Sequence, residues 1–413
     1  MPFLRGNSKG DFCIKYDIFF NIDYFVIGVN DVKKIQIMAT LCIGAVILSP
    51  LKIWAKPEVS ARAAILTELT TGRIIYEKNI DEKLPMASTT KIMTAISAIE
   101  EAEGRLDEVT EVSDKAAGVE GSSMYLEKGE KMTLRELLYG LMLPSGNDAA
   151  VAVSEVVCGS EEKFVELMNR KASEMGLENT HFANPNGLPD ENHYSTARDM
   201  AKMTEYAMKN SVFAEIAGTE SYKISGEGKA YPRTLTNHNK LLKAYDGCNG
   251  VKTGFTKAAG RCLVTSAERG GMTLICVTLN APDDWRDHTA LLDYGFANYK
   301  MVELCSADIP YTSVKVTNSY ITEVPLYPQY GVRLPLMDGE DYAVSTEISD
   351  ELEAPVKQGE EAGVLIYTSS DGKCIKVPLL TGREADAIPA VKKFGEKLAE
   401  YLVMIFSTWA DMV

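Results

Sequence analysis

The sequence predicts an α+β fold, an antiparallel sheet with helices, followed by a small all-β domain and a C-terminal amphipathic helix. Three observations predict it. Strand-like runs open and close residues 56–300, with helical periodicity between them. Residues 301–382 hold short β-branched runs separated by turn residues. Residues 383–413 return to apolar positions three and four apart. A chain of 413 residues exceeds one average core, and its 46% apolar and 24% charged content is that of an ordinary globular protein.

Residues 1–31 are rich in Phe, Tyr and Ile without a period and read as an N-terminal extension of uncertain role. We expect native translation to begin near Val32 or Met38. Lys33 and Lys34 precede an apolar run from Ile35 to Leu51, the basic start and apolar middle of a secretory signal over 32–55. Ala55 and Ala61 are its candidate ends. A retained membrane anchor is the alternative, although the run is at the short end for spanning a bilayer. Both readings export the chain beyond residue 55.

Ala63–Tyr76 reads as two strands joined at Thr71-Gly72. Helices are predicted over Ala87–Ala102, Leu134–Leu143 (stopped by Pro144), Asp148–Val157 (ending at Gly159), Glu161–Met175 (ending at Gly176) and Arg198–Lys209. Cys262–Ala267 and Met272–Leu279 flank Arg269-Gly270-Gly271 as a hairpin. Strands at both ends of this segment predict one sheet built from both. After Met301 the strand candidates are Ser313–Thr317, Tyr320–Pro325, Tyr342–Ser345, Ala362–Tyr367 and Lys373–Pro378, read as a small β-sandwich over 301–382.

From Pro389 on, Val391, Phe394, Leu398, Tyr401, Leu402, Ile405 and Trp409 form an apolar stripe, with Lys392, Lys393, Glu396, Lys397 and Glu400 mostly elsewhere. The apolar run Tyr401–Phe406 is too short to span a bilayer. We expect a membrane-surface helix; a helix packed on the domain before it is the alternative.

The formal net charge of −15 and the lack of a dense Lys/Arg run argue against nucleic acid as a partner, because a phosphate surface needs clustered cations. The eight cysteines include no CxxC pair, and none of the four histidines stands at metal-ligand spacing to another. No metal and no cofactor is expected. The scattered cysteines read as buried free thiols rather than a disulfide framework.

Three motifs carry chemistry. Ser88-Thr89-Thr90-Lys91 sets a hydroxyl and an amine three apart, on one helix face, where a desolvated lysine can serve as the base for a serine nucleophile. The spacing recurs at Ser49, Ser160 and Ser370, but only Ser88 opens an apolar helix. Ser145-Gly146-Asn147 lies between two helices; by itself it reads as a turn with a helix cap at Asn147 or Asp148 rather than as a site. Lys252-Thr253-Gly254 precedes Phe255-Thr256; by itself it reads also as an edge strand with a solvated lysine.

In that order, the three motifs resemble the signature of penicillin-binding proteins and serine β-lactamases. Met124-Tyr125-Leu126, Gly129, Asn184-Pro185-Asn186-Gly187-Leu188, Ser195–Met200, Asn237-His238-Asn239 and Asp293–Tyr299 are similar to the D-alanyl-D-alanine carboxypeptidase family. The resemblance covers roughly Glu58 to Val413 and implies a penicillin-binding, transpeptidase-like domain. It implies Ser88 as nucleophile, Lys91 as its base and Ser145 as the group passing a proton to the leaving D-alanine. Asn147 would hold the substrate amide and Lys91, and Lys252 and Thr253 the terminal carboxylate. Gly254 completes the third motif, and the backbone N–H groups of Ser88 and Phe255 would form the oxyanion hole. Some relatives have His after Lys-Thr-Gly and Arg inside Asn-X-Asn; Phe255 and His238 stand there, which implies a weaker grip on the carboxylate.

The expected partners are a peptidoglycan stem peptide ending in D-Ala-D-Ala, β-lactam antibiotics and a membrane surface, at the outer face of the cytoplasmic membrane. A D,D-endopeptidase cutting cross-links and an inactive wall-binding homologue are the alternatives. A β-lactamase fits less well, because Gly146 replaces the aspartate of its middle motif and the two C-terminal elements are extra.

Overall fold

The structure, a computed structural model, describes residues 55–410 except 103, 226–230 and 371. The extension over 1–31 and, Ala55 apart, the signal over 32–55 lie outside the described residues.

The sheet of the first domain is built from both ends of its segment. Strands β1 (Ala63–Glu68) and β2 (Ile74–Lys78) pair with β3 (Cys248–Thr256), β4 (Gly260–Arg269) and β5 (Met272–Leu279) in the order β2-β1-β5-β4-β3, every pair antiparallel. Gly270 and Gly271 turn β4 into β5 with both φ positive, 58° and 74°, the two-residue hairpin that suits the strands' twist. The central strands are apolar on both faces. Ile65 and Val277 join the helical core, whereas Leu66 and Cys276 face the opposite side. That is why Met272–Leu279 reads as a continuous apolar run rather than an alternation.

One face of the sheet carries α1 (Lys91–Ala102), α2 (Leu134–Met142), α3 (Asn147–Cys158), α4 (Glu161–Glu174), α5 (Ala197–Met208) and α6 (Ser211–Gly218) in one core. Helix α1 is buried along nearly its whole length, including the polar Lys91, Thr94 and Ser97, with only Glu100 and Glu101 reaching solvent. The other face carries α7 (Asp284–Asn298), which the apolar period does not predict. Its buried polar residues obscure that period. His288 lies between the hydroxyls of Thr265 and Thr278, at 2.7 and 2.9 Å, and burial pushes its pKa down to about 3. Asp287 accepts from Ser60 N, Ser60 Oγ and Ala61 N and so fastens the chain's entry to the domain.

The all-β region comprises β6 (Tyr299–Cys305), β7 (Thr312–Thr317), β8 (Glu323–Pro328), β9 (Val332–Met337), β10 (Ala343–Ile348), β11 (Glu351–Glu353), β12 (Glu361–Thr368) and β13 (Cys374–Thr381). Six form a sheet in the order β10-β12-β13-β8-β7-β11, and β6 pairs with β9. The strand expected over Tyr320–Pro325 is displaced to Glu323–Pro328. Pro325 does not end it, because the position gives its carbonyl, to Gly382 N at 2.7 Å. Residues 383–389 remain bonded to this region: Val356 and Ala385 exchange both backbone bonds at 2.9 Å, and Ile388 N donates to Asn318 O. The region is latched to the β1–β2 turn. Arg73 donates to Pro335 O at 2.6 Å and to both Glu340 oxygens at 2.8 Å.

Helix α8 (Ala390–Ala410) closes the described chain. Phe394, Leu398, Tyr401 and Leu402 are exposed, so the alternative in which the apolar stripe packs on the preceding domain is not what the structure has. No helix among the described residues is long and apolar enough to cross a membrane. The structure corrects the cysteine expectation. All six described cysteines are free, but only Cys262 and Cys276 are buried, and Cys374 is exposed. Cys13 and Cys42 lie outside the described residues.

Candidate active site

Ser88 lies on a single 3₁₀ turn, Ala87–Thr90, that leads directly into α1. The expected helix therefore begins one turn late. Ala87 enters the turn at φ 49°, a left-handed conformation uncommon for a residue with a Cβ. The turn is tied down from below. Thr90 Oγ1 donates to Ala87 O at 2.7 Å and lies 2.7 Å from His193 Nε2. His193 Nδ1 accepts from Ala183 N, so the proton of the neutral ring sits on Nε2 and points at Thr90. Burial holds that ring neutral, with a pKa of about 4.

Lys91 is fully buried. Its Nζ lies 2.8 Å from Asn147 Oδ1, 2.8 Å from Asn186 O and 3.0 Å from Ser88 Oγ. Burial, then the charge of Lys252, holds its pKa well below the usual lysine range, with Asp148 opposing in part. A neutral amine has two protons and one lone pair. Asn147 Oδ1 and Asn186 O can only accept, so they take the two protons. The lone pair is left for the Ser88 hydroxyl.

Pro144 ends α2, and Ser145 follows at φ 65°, buried, its Oγ without a hydrogen-bond partner among the described residues. Helix α3 is capped neither by Asn147 nor by Asp148, which corrects the helix-cap alternative for this motif. Gly146 occupies the cap position and makes no side-chain bond. Asn147 spends its carboxamide on Lys91 and on Glu120 O at 2.8 Å. Asp148 accepts from Ser123 Oγ, Met124 N and Leu126 N and fixes the loop that leads past the site.

Lys252, Thr253, Gly254 and Phe255 lie on β3, the edge of the sheet. The strand passes close to the nucleophile turn: a Cβ on Gly254 would stand 3.0 Å from both Ser88 N and Thr89 N. Phe255 is 65% exposed at the rim. The edge strand is as expected, but the lysine on it is not solvated. Lys252 is 1% exposed, donates to Thr253 O at 3.0 Å, and is pushed down to a pKa of about 7 by burial.

Ser88, Ser145, Thr253, Gly254 and Phe255 line one cleft of about 520 Å³, with Lys91 and Asn147 hydrogen-bonded behind Ser88 and Lys252 buried within electrostatic reach. Ser49 lies outside the described residues, and neither Ser160 nor Ser370 lines the cleft. Ser160 caps α4 through Lys163 N. Several contributors lie outside the three chemical motifs. Asn186 acts through its backbone carbonyl, which no side-chain pattern reveals. Gly187 lies so close that a Cβ would meet Ala87 O at 2.0 Å. Ser122, Lys240, Arg261, Asp284 and Trp285 line the cleft from distant segments.

Residues 51–283 match the family described as D-alanyl-D-alanine carboxypeptidase, and residues 299–387 match the C-terminal domain of penicillin-binding protein 5. The chain is 37% identical over 334 residues to the D-alanyl-D-alanine carboxypeptidase DacF of Bacillus subtilis, covering 78% of this chain and 85% of that one. It is 31% identical over 369 residues to DacC of Escherichia coli, covering 86% and 90%. Penicillin binding protein 5 from Haemophilus influenzae is similar in structure, with a TM-score of 0.67 at 28% identity over 80% of this chain and 99% of that one. For the Streptomyces K15 DD-transpeptidase the TM-score is 0.56 at 37% identity, over 59% and 99%.

Proposed function

The chain belongs to the D-alanyl-D-alanine carboxypeptidase family, and from that premise we propose that it removes the terminal D-alanine of peptidoglycan pentapeptides through an acyl-enzyme on Ser88. One observation carries the reading: a buried lysine, its pKa held low by burial, whose Nζ lies 3.0 Å from a serine hydroxyl and 2.8 Å from each of two acceptors able to take its protons.

Ser88 Oγ attacks the carbonyl of the penultimate D-alanine and gives its proton to Lys91. The oxyanion is met by the N–H groups of Ser88 and Phe255, at the N-terminal end of the turn where the close approach of Gly254 brings β3 alongside. Ser145, whose buried hydroxyl lacks a partner among the described residues, passes a proton to the leaving amine. As the C–N bond breaks, D-alanine departs and the acyl group stays on Ser88; water then attacks the ester and restores the hydroxyl. Asn147 holds the substrate amide and keeps Lys91 in place. Lys252 and Thr253 receive the terminal carboxylate, which itself favours the ammonium form of Lys252. A β-lactam would acylate the same hydroxyl. We further propose that the protein works exported, at the outer face of the cytoplasmic membrane, with α8 lying on the lipid surface.

The test is labelling and turnover together. Ser88→Ala should take up no fluorescent penicillin and release no D-alanine from a free pentapeptide, while its circular dichroism matches the wild type. A stable adduct on the variant at another serine would remove Ser88 from the mechanism. Faster cleavage of a cross-linked dimer than of the free pentapeptide would favour an endopeptidase.

A further inference from the structure

Thr253, Gly254 and Phe255 follow one another along β3 on the cleft wall, with Ser88 opposite Gly254, and the partner of Phe255 across the strand pair is Arg261. Beyond Gly254 the wall is made by Arg261, Asp284 and Trp285, with Lys240 also facing the cleft. Arg261 Nε donates to Asp284 Oδ1 at 2.9 Å, and Nη2 forms an ion pair with the same oxygen at 2.9 Å. Asp284 is 3% exposed, and its Oδ1 also accepts from Trp285 N, which fixes the carboxylate. The Arg261 guanidinium lies 5.8 Å from the Trp285 ring centroid, and its side chain is 42% exposed. One edge of the guanidinium is thus held by a buried acid. Among the described contacts, Nη1 has no partner. That is how a planar cation is oriented as an anion receptor, with its torsions fixed before the ligand arrives. On this wall Lys240 and Arg261 stand against Asp284 alone, so the local charge favours an anion.

An extended peptide advances about 3.3 Å per residue. With the scissile carbonyl at Ser88 and the C-terminal carboxylate toward Thr253, the residue before the D-Ala pair lies along Phe255 and Arg261. We propose that Arg261, oriented by Asp284, receives a carboxylate on the side chain of that residue, while Trp285 covers the side chain's aliphatic stem. Arg261 is a specificity residue and Asp284 a positioning residue; neither touches the reacting atoms. The inference rests on the carboxypeptidase reading, which sets the direction of the peptide.

The experiment compares two N-acylated peptides ending in D-Ala-D-Ala. Before that pair, one has lysine and the other has lysine with an added carboxylate on Cε. In the wild type, kcat/KM for the carboxylate-bearing peptide should be higher by about tenfold or more, the scale of a hydrogen bond to a charged group. Arg261→Gln should bring the ratio near one, and Arg261→Lys should restore part of it. Equilibrium binding of the same uncut peptides to Ser88→Ala should show the same preference in Kd, a readout that needs no chemistry. Equal turnover and equal binding of the two peptides overturn the subsite and leave the peptidase reading standing. A binding preference with no turnover by the wild type overturns the peptidase reading and leaves the subsite standing. A preference that survives Arg261→Gln in both readouts moves the receptor away from Arg261 and sinks the proposal.

Discussion

Lys91 and Lys252 are two amines buried in one site, and each needs a different protonation state. Lys91 must be neutral to accept the Ser88 proton, so activity rises with pH through its lowered pKa. Lys252 must be an ammonium to hold a carboxylate. Its pKa of about 7 means that in the free enzyme this charge is present below pH 7 and lost above it. We therefore expect kcat/KM for a free-acid peptide to fall above pH 7, approaching about tenfold per pH unit. An amidated peptide, if cut at all, should lack that alkaline limb. Lys252→Ala should lower kcat/KM for the free acid by about a hundredfold, the loss of a charge-assisted contact in a dry site, and remove the same limb. A flat profile from pH 7 to 9 in the wild type would count against Lys252 as the carboxylate receptor.

At the scale of elements, the nucleophile turn is held by the loop beneath it as well as by its own hydrogen bonds, Thr89 Oγ1 to Met86 O and Thr90 Oγ1 to Ala87 O. Asn186 O meets Lys91, Thr94 Oγ1 donates to Pro185 O, and Gly187 packs against Ala87. A Cβ on Gly187 would stand 2.0 Å from Ala87 O, and its φ of 87° already disfavours a side chain. Gly187→Ala should push the turn away from α3. We expect acylation by a penicillin to slow by about a hundredfold, the cost of misplacing a reacting group by roughly 1 Å. Gly159 is the control. It shares a positive φ, 79°, but a Cβ there would meet nothing within 4 Å. Gly159→Ala should lower stability by about 1 kcal/mol, the cost of backbone strain alone, with acylation unchanged. Thermal melts beside stopped-flow acylation separate the two effects. Equal acylation rates in the two variants would refute the coupling of loop to turn.

At the scale of the molecule, the all-β region meets the first domain at the β1–β2 turn, and α8 follows residue 389 with the apolar stripe uncovered. Burying that stripe at about 25 cal/mol per Å² gives several kcal/mol, enough for reversible attachment to a lipid surface. A chain ending at Pro389 keeps the Val356–Ala385 and Asn318–Ile388 bonds. It should leave sedimented vesicles of anionic lipid and stay in the supernatant, with unchanged activity on a soluble peptide. Continued sedimentation, in a protein lacking residues 1–55, would show that α8 is not the anchor. Arg73→Ala should loosen the latch between the regions and raise protease cleavage near Tyr299–Cys305, while Ser88 still acylates at the wild-type rate.

The order and spacing of the three motifs, the strands at both ends of the first domain and the amphipathic tail are legible in the residues, because each is local. A hydroxyl and an amine three apart on a helix meet whatever surrounds them, and a glycine pair between apolar runs turns a hairpin anywhere. Which of four serine–lysine spacings becomes a site is legible only in part, through the apolar helix that begins at Ser88. Helix α7 is not legible, because Asp284, Asp287 and His288 interrupt its apolar period and are satisfied by partners ten or more residues away or by the chain's entry. Tertiary structure alone decided the burial of Lys91 and Lys252, the carbonyl of Asn186 that directs the amine, and the wall formed by Arg261 and Asp284. The physical reason is that desolvation and electrostatics depend on what is near in space. A lysine on an edge strand reads as solvated until the turn from residue 87 is laid against it, and only then does its charge become costly enough for its pKa to fall into the working range.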